Sequence, residues 1–226
     1  MGKPKLIFLF RHGQSEGNVN KNIYASKPDY ALELTQLGKQ QAFDAGLKMA
    51  EVMDNYGIAR TNPVQFYVSP FWRTRQTFMQ VSKTFPNNNF YEDPRLREQE
   101  WGHLRDDNLT RKLEEYRDNY GHFYYRFDDG ESCADVYDRI STFLETFFRD
   151  FKKDNFPETA AIVSHGMTLR VILMRWFHLS VEDFELLANP ANAEFHVLKL
   201  NDAGKYDLIT MPRKRPVEHN FQFEWQ

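Results

Sequence analysis

The run Leu6–Phe10 constrains this chain most. Five consecutive apolar residues lead without a spacer into Arg11-His12-Gly13. A strand with one solvated face alternates in polarity. An unbroken apolar run of this length reads as a strand buried on both faces. It is too short for a membrane span or for the apolar core of a signal peptide.

Two further segments, Val64–Val68 and Ala160–Val163, read the same way. Between the strands lie helical stripes. Leu37, Ala42, Ala45, Met49, Val52 and Met53 fall on one face of a helix starting near Thr35. Val136, Ile140, Phe143, Phe147 and Phe151 mark another, with Ser132 and Asp135 spaced as a capping pair at its start. Glu194–Leu200 and Tyr206–Met211 alternate as strands of a hairpin around Asn201–Lys205. Strands alternating with helices imply an α/β fold with a mainly parallel sheet. No repeat, low-complexity tract or linker divides the 226 residues, so 1–226 is expected to be one domain.

Composition narrows the function. An apolar fraction of 41%, with 20 Phe and 11 Tyr, supports a sizeable core. A net charge of -3 removes the simplest case for nucleic-acid binding but not for a small anion. The lone Cys133 excludes an internal disulfide and an all-Cys metal site. With no targeting segment in view, a soluble, cytoplasmic protein without an integral membrane segment is expected. The tail from Arg213 turns basic, then aromatic at Phe221, Phe223 and Trp225. It reads as a strap on the body or as a partner-binding motif. Oligomeric state leaves no mark in the sequence.

Each apolar run ends in a polar cluster and a helix start. The clusters are Arg11–Asn18, Ser69–Thr77 and Ser164–Arg170. In the second, Ser69 is placed to cap a helix with Pro70 at its first position. The carboxyl ends of parallel strands share one edge, where ligands bind. Arg11, His12, Arg73 and His165 can therefore converge although far apart in sequence. Helix N-termini there add amide donors and positive dipole ends, and guanidinium forks match phosphate oxygens. A single His-Gly after a strand is usually a turn, and a single Arg at a helix start is usually solvated. Two strand–His-Gly junctions with a strand–Ser-Pro-x-x-Arg junction are much harder to dismiss.

These motifs resemble the histidine phosphatase, or phosphoglycerate-mutase-like, superfamily. The resemblance rests on Arg11-His12-Gly13 with Asn18, Leu34–Gly38 with Gln41-Ala42, Ser69–Thr77, Gly130-Glu131-Ser132 and His165-Gly166, in family order. Arg97–Gly102 and Tyr120–Ile140 are similar to plant phosphoglycerate-mutase-like proteins and fungal broad-range acid phosphatases. The resemblance implies a three-layer αβα sandwich and a small phosphorylated substrate. It also implies His12 as nucleophile, forming a phosphohistidine, and Arg11, Arg73 and His165 as a phosphoryl clamp. Asn18, Gly166, Gln14 and Thr35 would assist in binding, and Glu98 would be the general acid and base.

The residue types suit that chemistry. A neutral imidazole is nucleophilic, Arg neighbours push its pKa down, and cations stabilise charge during in-line phosphoryl transfer. No step needs a metal or cofactor, and the sequence offers no ligand cluster for one. For Glu98 the competing expectation is a charged loop in which Glu98 and Glu100 pair with Arg95, Arg97 and Arg105. Gln14, Lys21, Arg75, Arg97 and His103 could line the substrate mouth or be ordinary surface. The aromatic residues between Tyr116 and Phe127 could form a lid or pocket wall.

Hydrolysis is expected over mutase transfer. Asn20–Tyr30 reads NKNIYASKPDY where true mutases carry Asn-Arg-Phe-x-Gly-Trp, and no long insertion follows Trp101. Phosphoglycerate mutase is the enzymatic alternative. A non-catalytic phosphate-binding adaptor is a further alternative, opposed by retention of every motif residue.

Overall fold

The computed structural model describes residues 2–102 and 107–215. Among these residues the strands are β1 (Leu6–Arg11), β2 (Val64–Val68), β3 (Asn88–Glu92), β4 (Thr159–Ser164), β5 (Phe195–Leu200) and β6 (Tyr206–Leu208). They form one sheet in the order β3-β2-β4-β1-β5-β6. The first four in that order run parallel, β5 is antiparallel to β1, and β6 to β5. The α-helices are α1 (Glu16–Val19), α2 (Gln36–Asn55), α3 (Trp72–Val81), α4 (Asp107–Tyr120), α5 (Cys133–Asp150), α6 (Gly166–Phe177) and α7 (Val181–Leu186).

The unbroken apolar run of β1 serves two cores, because successive strand side chains point to opposite faces. Leu6, Phe8 and Phe10 pack with Met49 and Met53 of α2 and with Phe78 and Val81 of α3. Ile7 and Leu9 join Ile140, Phe143 and Phe147 of α5 and Leu169 and Ile172 of α6. The result is a three-layer αβα sandwich. Each large side chain fully buried in it contributes about 1.5–3 kcal/mol over exposure, so a polar residue anywhere in Leu6–Phe10 would damage one layer or the other.

Local signals set most helix starts. Thr35 caps α2 by accepting from Gly38 N at 3.0 Å. Ser132 and Asp135 form the reciprocal pair at the head of α5. Leu37, expected in the α2 stripe, is 54% exposed in the first turn. The expected start of α3 needs correction: the helix begins at Trp72 with Phe71 at its N-cap, so Ser69 and Pro70 precede it. Ser69 N donates to Val163 O at 3.0 Å, which ties that residue to the sheet instead.

β3 was not expected, because Asn-Asn-Asn-Phe-Tyr has poor strand propensity. It is an exposed strand laid parallel on β2, with Phe90 against Phe78 at 4.6 Å between ring centroids. The last strand is shorter than the expected Tyr206–Met211. Among the described residues no helix is long and apolar enough to cross a membrane. Phe221, Phe223 and Trp225 of the tail, with His103 and Arg105, lie outside the described residues.

Candidate active site

Three parallel strands end side by side. Arg11 is in register with Ser164, and Val68 with Val163. Beyond the strand ends, His12 N donates to Ser164 O at 3.0 Å. Arg11-His12, Ser69 and Ser164-His165 are thus held in a row at the carboxyl edge, with α3 and α6 starting beside them. Gly13 permits a close crossing there. A Cβ on it would lie 2.3 Å from Gly38 O, and one on Gly38 would lie 2.0 Å from Gln14 O.

His12 is 4% exposed. Its Nδ1 lies 2.7 Å from the Gly13 carbonyl. A carbonyl only accepts, so Nδ1 carries the proton and Nε2 keeps its lone pair. Burial, then Arg73 and Arg11, push the His12 pKa well below 6.5, against a small opposing pull from the Gly13 bond. The ring is therefore neutral at pH 7. His165 lies edge-on to it, with ring centroids 5.3 Å apart. His165 is fully buried and its Nε2 is 2.8 Å from Ser69 Oγ. Burial first, then Arg73 and His12, lower its pKa well below 6.5 as well.

The guanidinium groups are anchored differently. Arg73 is buried, and its Nη1 donates to Asp29 O and Asp29 Oδ1, both at 2.7 Å. Arg11 Nη1 donates to Pro190 O at 2.6 Å. Among the described residues, Arg11 Nε and His165 Nδ1 are buried without a hydrogen-bond partner. Unsatisfied buried polar atoms of this kind are uncommon and call for a ligand or a water. Arg75 Nε, Thr84 Oγ1, Thr159 Oγ1 and Arg170 Nε share that state elsewhere in the fold; the Arg11 and His165 atoms differ in belonging to side chains next to the neutral His12 ring and Arg73.

Glu98 is not the member of a charged loop. Its carboxylate sits at the start of α6, accepting from Thr168 N at 3.2 Å, Met167 N at 3.3 Å, Thr168 Oγ1 at 3.2 Å and Gln99 N at 3.1 Å. Arg97 pairs instead with Glu131, and Arg95 with Asp93.

A cleft of about 990 Å³ opens over this edge, with Arg11, His12, Asn18, Arg73 and Glu98 all on its surface. Asn18 Oδ1 accepts from Ser15 N and from Asn192 Nδ2, each at 3.0 Å. Neither His165 nor Gly166 is on the cleft surface: His165 is fully buried behind it, and Gly166 begins α6 beneath Asn189, which would lie 2.7 Å from a Cβ placed on it. Gln14 and Thr35 are not brought to the cleft: Thr35 Oγ1 donates to Gln14 Oε1 at 2.8 Å, and the pair belongs to the start of α2. Of the suggested mouth residues, Lys21 and Arg97 line the cleft. Arg75 instead reaches Glu92 at 2.6 Å. The aromatic residues between Tyr116 and Phe127 do not form its wall. Phe123 and Phe127 are buried, while Tyr116, Tyr120 and Tyr124 are exposed.

Sequence reasoning missed Tyr24, Asp29 and Asn189, which also line the cleft. A lone Asp or Tyr in a connecting segment carries no signal that a distant Arg will meet it.

The fold is an α/β sandwich whose parallel strand ends bring two neutral histidines and two arginines to one edge. The chain belongs to the Histidine phosphatase superfamily (branch 1), which matches residues 7–209. It is 42% identical over 215 residues to Phosphoglycerate mutase-like protein AT74H of Arabidopsis thaliana, covering 90% of this chain and 76% of that one. It is 27% identical to Broad-range acid phosphatase DET1 of Saccharomyces cerevisiae, over 92% of this chain and 90% of that one. In fold it is similar to a mycobacterial glucosyl-3-phosphoglycerate phosphatase solved with VO3. That structure has a TM-score of 0.71 at 20% identity, and the match covers 92% of this chain and 99% of that one.

Proposed function

We propose that this protein is a phosphomonoesterase that hydrolyses small phosphate esters through a phosphohistidine on His12. The observation that carries the reading is the His12 ring itself. Its proton is held on Nδ1 by Gly13, and its pKa is lowered by burial, Arg73 and Arg11.

In the first step His12 Nε2 attacks phosphorus and the ester P–O bond breaks. Glu98 delivers a proton to the departing alkoxide. Arg11, Arg73 and His165 stabilise the charge on the equatorial oxygens. In the second step Glu98 takes a proton from water, the new P–O bond forms, and the P–N bond breaks to release phosphate and His12. The proton lent in the first step returns in the second. Proton transfer by a placed carboxylate contributes about 10²–10⁴-fold. Every step is supplied by side chains, so activity is expected to survive EDTA; loss on chelation with recovery on one divalent ion would overturn the mechanism. A likeness to Broad-range acid phosphatase DET1 supports hydrolysis.

Acid-quenched rapid mixing with labelled substrate tests the scheme. A base-stable, acid-labile phosphoenzyme is expected with the parent and none with His12→Ala. Glu98→Gln should slow transfer from alkyl phosphates more than from p-nitrophenyl phosphate, whose leaving group needs little protonation. Labelling of His12→Ala, or equal slowing of both ester classes, would refute the assigned roles.

A further inference from the structure

Among the described residues, the Lys and Arg side chains lining the cleft are Arg11, Lys21, Arg73, Arg97 and Arg117. Four are already matched by carboxylates. Arg73 meets Asp29 at 2.7 Å and Lys21 meets Glu114 at 2.7 Å. Arg97 pairs with Glu131. Arg117 meets Asp118 at 3.3 Å and lies 4.9 Å from the centre of the Trp101 ring. Arg11, beside His12, makes no ion pair of this kind among the described residues, and its Nε is buried without a hydrogen-bond partner there.

The cleft surface also carries carboxylates of its own, Asp29, Glu98, Glu100 and Glu114. Among the described residues, unmatched positive charge is thus concentrated at the floor, where the proposed reaction places one phosphoryl group. Moving Lys21 toward a second anionic group on the substrate would expose Glu114 in the same region, so the field gained is small. A second anion would meet Asp29 and Glu114 at close range, and like charges placed against each other lower affinity. Neutral polar groups, including Asn18, Tyr24 and Asn189, share the remaining wall.

Resting on the phosphatase reading above, we infer that the cleft selects phosphate monoesters whose alcohol portion is neutral or cationic. It discriminates against alcohols carrying a carboxylate or a second phosphate. The paired charges on the wall act as the specificity filter, while the floor accepts the phosphoryl group common to all substrates.

The test is a panel of kcat/KM values at low ionic strength. Glycerol 2-phosphate and phosphoethanolamine represent the favoured class, and 3-phosphoglycerate and 2,3-bisphosphoglycerate the disfavoured one. The favoured pair should exceed the other by at least tenfold. Glu114→Gln, which leaves Lys21 without its carboxylate, should narrow that ratio several-fold. Lys21→Gln, which leaves Glu114 unmatched, should widen it. Added salt should weaken both changes. If the anionic alcohols are hydrolysed as well as the neutral ones, the inference fails while the phosphatase reading stands. The same holds if the two variants shift the ratio in the same direction. If no ester in the panel is hydrolysed, both fail together.

Discussion

The floor and the wall of the cleft are built by different means. The floor consists of strand ends: His12 N is bonded to Ser164 O of the neighbouring strand, His165 follows directly on Ser164 and opens α6, and both are buried. The wall consists of a connecting segment around Lys21–Asp29 and the helix α4, joined by the half-exposed Lys21–Glu114 pair. A backbone ladder cannot be altered by changing a side chain, whereas an exposed ion pair contributes about 0–1 kcal/mol and is easily exchanged. Chemistry common to a family can therefore rest on the floor, while selectivity varies on the wall at little cost to folding.

The sharpest way to break that contrast is to remove His12, the nucleophile proposed for the floor. His12→Ala should lower turnover by more than about 10³-fold with every ester, measured as steady-state hydrolysis at saturating substrate. A loss confined to some esters would move His12 from the floor's common chemistry to the wall's selectivity.

Next in size is the paired substitution on α3. Arg73→Lys keeps the charge and loses the planar fork held by Asp29, so activity should fall well over tenfold, more than about 1.4 kcal/mol. Arg75→Lys, two residues on, touches Glu92 outside the cleft and should stay within about twofold. Equal sensitivity in kcat/KM would mean that α3 presents both residues to substrate.

The last effect falls on stability rather than on a single side chain's role, and it is graded by pH. His12, His165, His122 and His196 all have pKa values lowered from 6.5 by burial first, His122 to about 3. Unfolded chains take up these protons near pH 6.5, whereas the native protein does so only at lower pH. The stability contributed by the neutral rings is complete above 6.5 and is lost as pH falls toward the native values. The slope approaches about 1.4 kcal/mol per pH unit for each such ring. Melting temperature should therefore drop between pH 7 and pH 5. Over the same range, at a temperature where the protein stays folded, kcat/KM should show no acid limb from His12. A melting temperature flat across that range would contradict burial of the four imidazoles, and a limb at 6.5 would contradict the low pKa of the floor.

Much of the floor could be read from residues alone. Leu6–Phe10 and Ala160–Val163 are apolar without a break, and Val64–Val68 is so but for Gln65, which calls for burial on two faces and hence a layered sheet. Once such strands are parallel their carboxyl ends must share an edge, and that alone brings Arg11, His12 and His165 together. The capping pair Ser132 and Asp135 and the cap Thr35 are equally local, since each interaction spans three residues of chain.

What tertiary structure alone decided involves partners distant in sequence and without periodicity. Asp29 meets Arg73, 44 residues away. Lys21 meets Glu114 at a separation of 93 residues. β3 forms because β2 offers an open edge, despite its Asn-rich sequence. Ser69 is drawn to the sheet and to His165 rather than to the helix that its sequence suggested it would cap. Glu98 is held by the amides of α6 and not by its Arg neighbours. Local pattern governs residues whose free energy depends on the adjacent turn or strand. These other groups are governed by whichever charge or unsatisfied donor the folded chain brings within about 3 Å, and that distance is set only when the layers close.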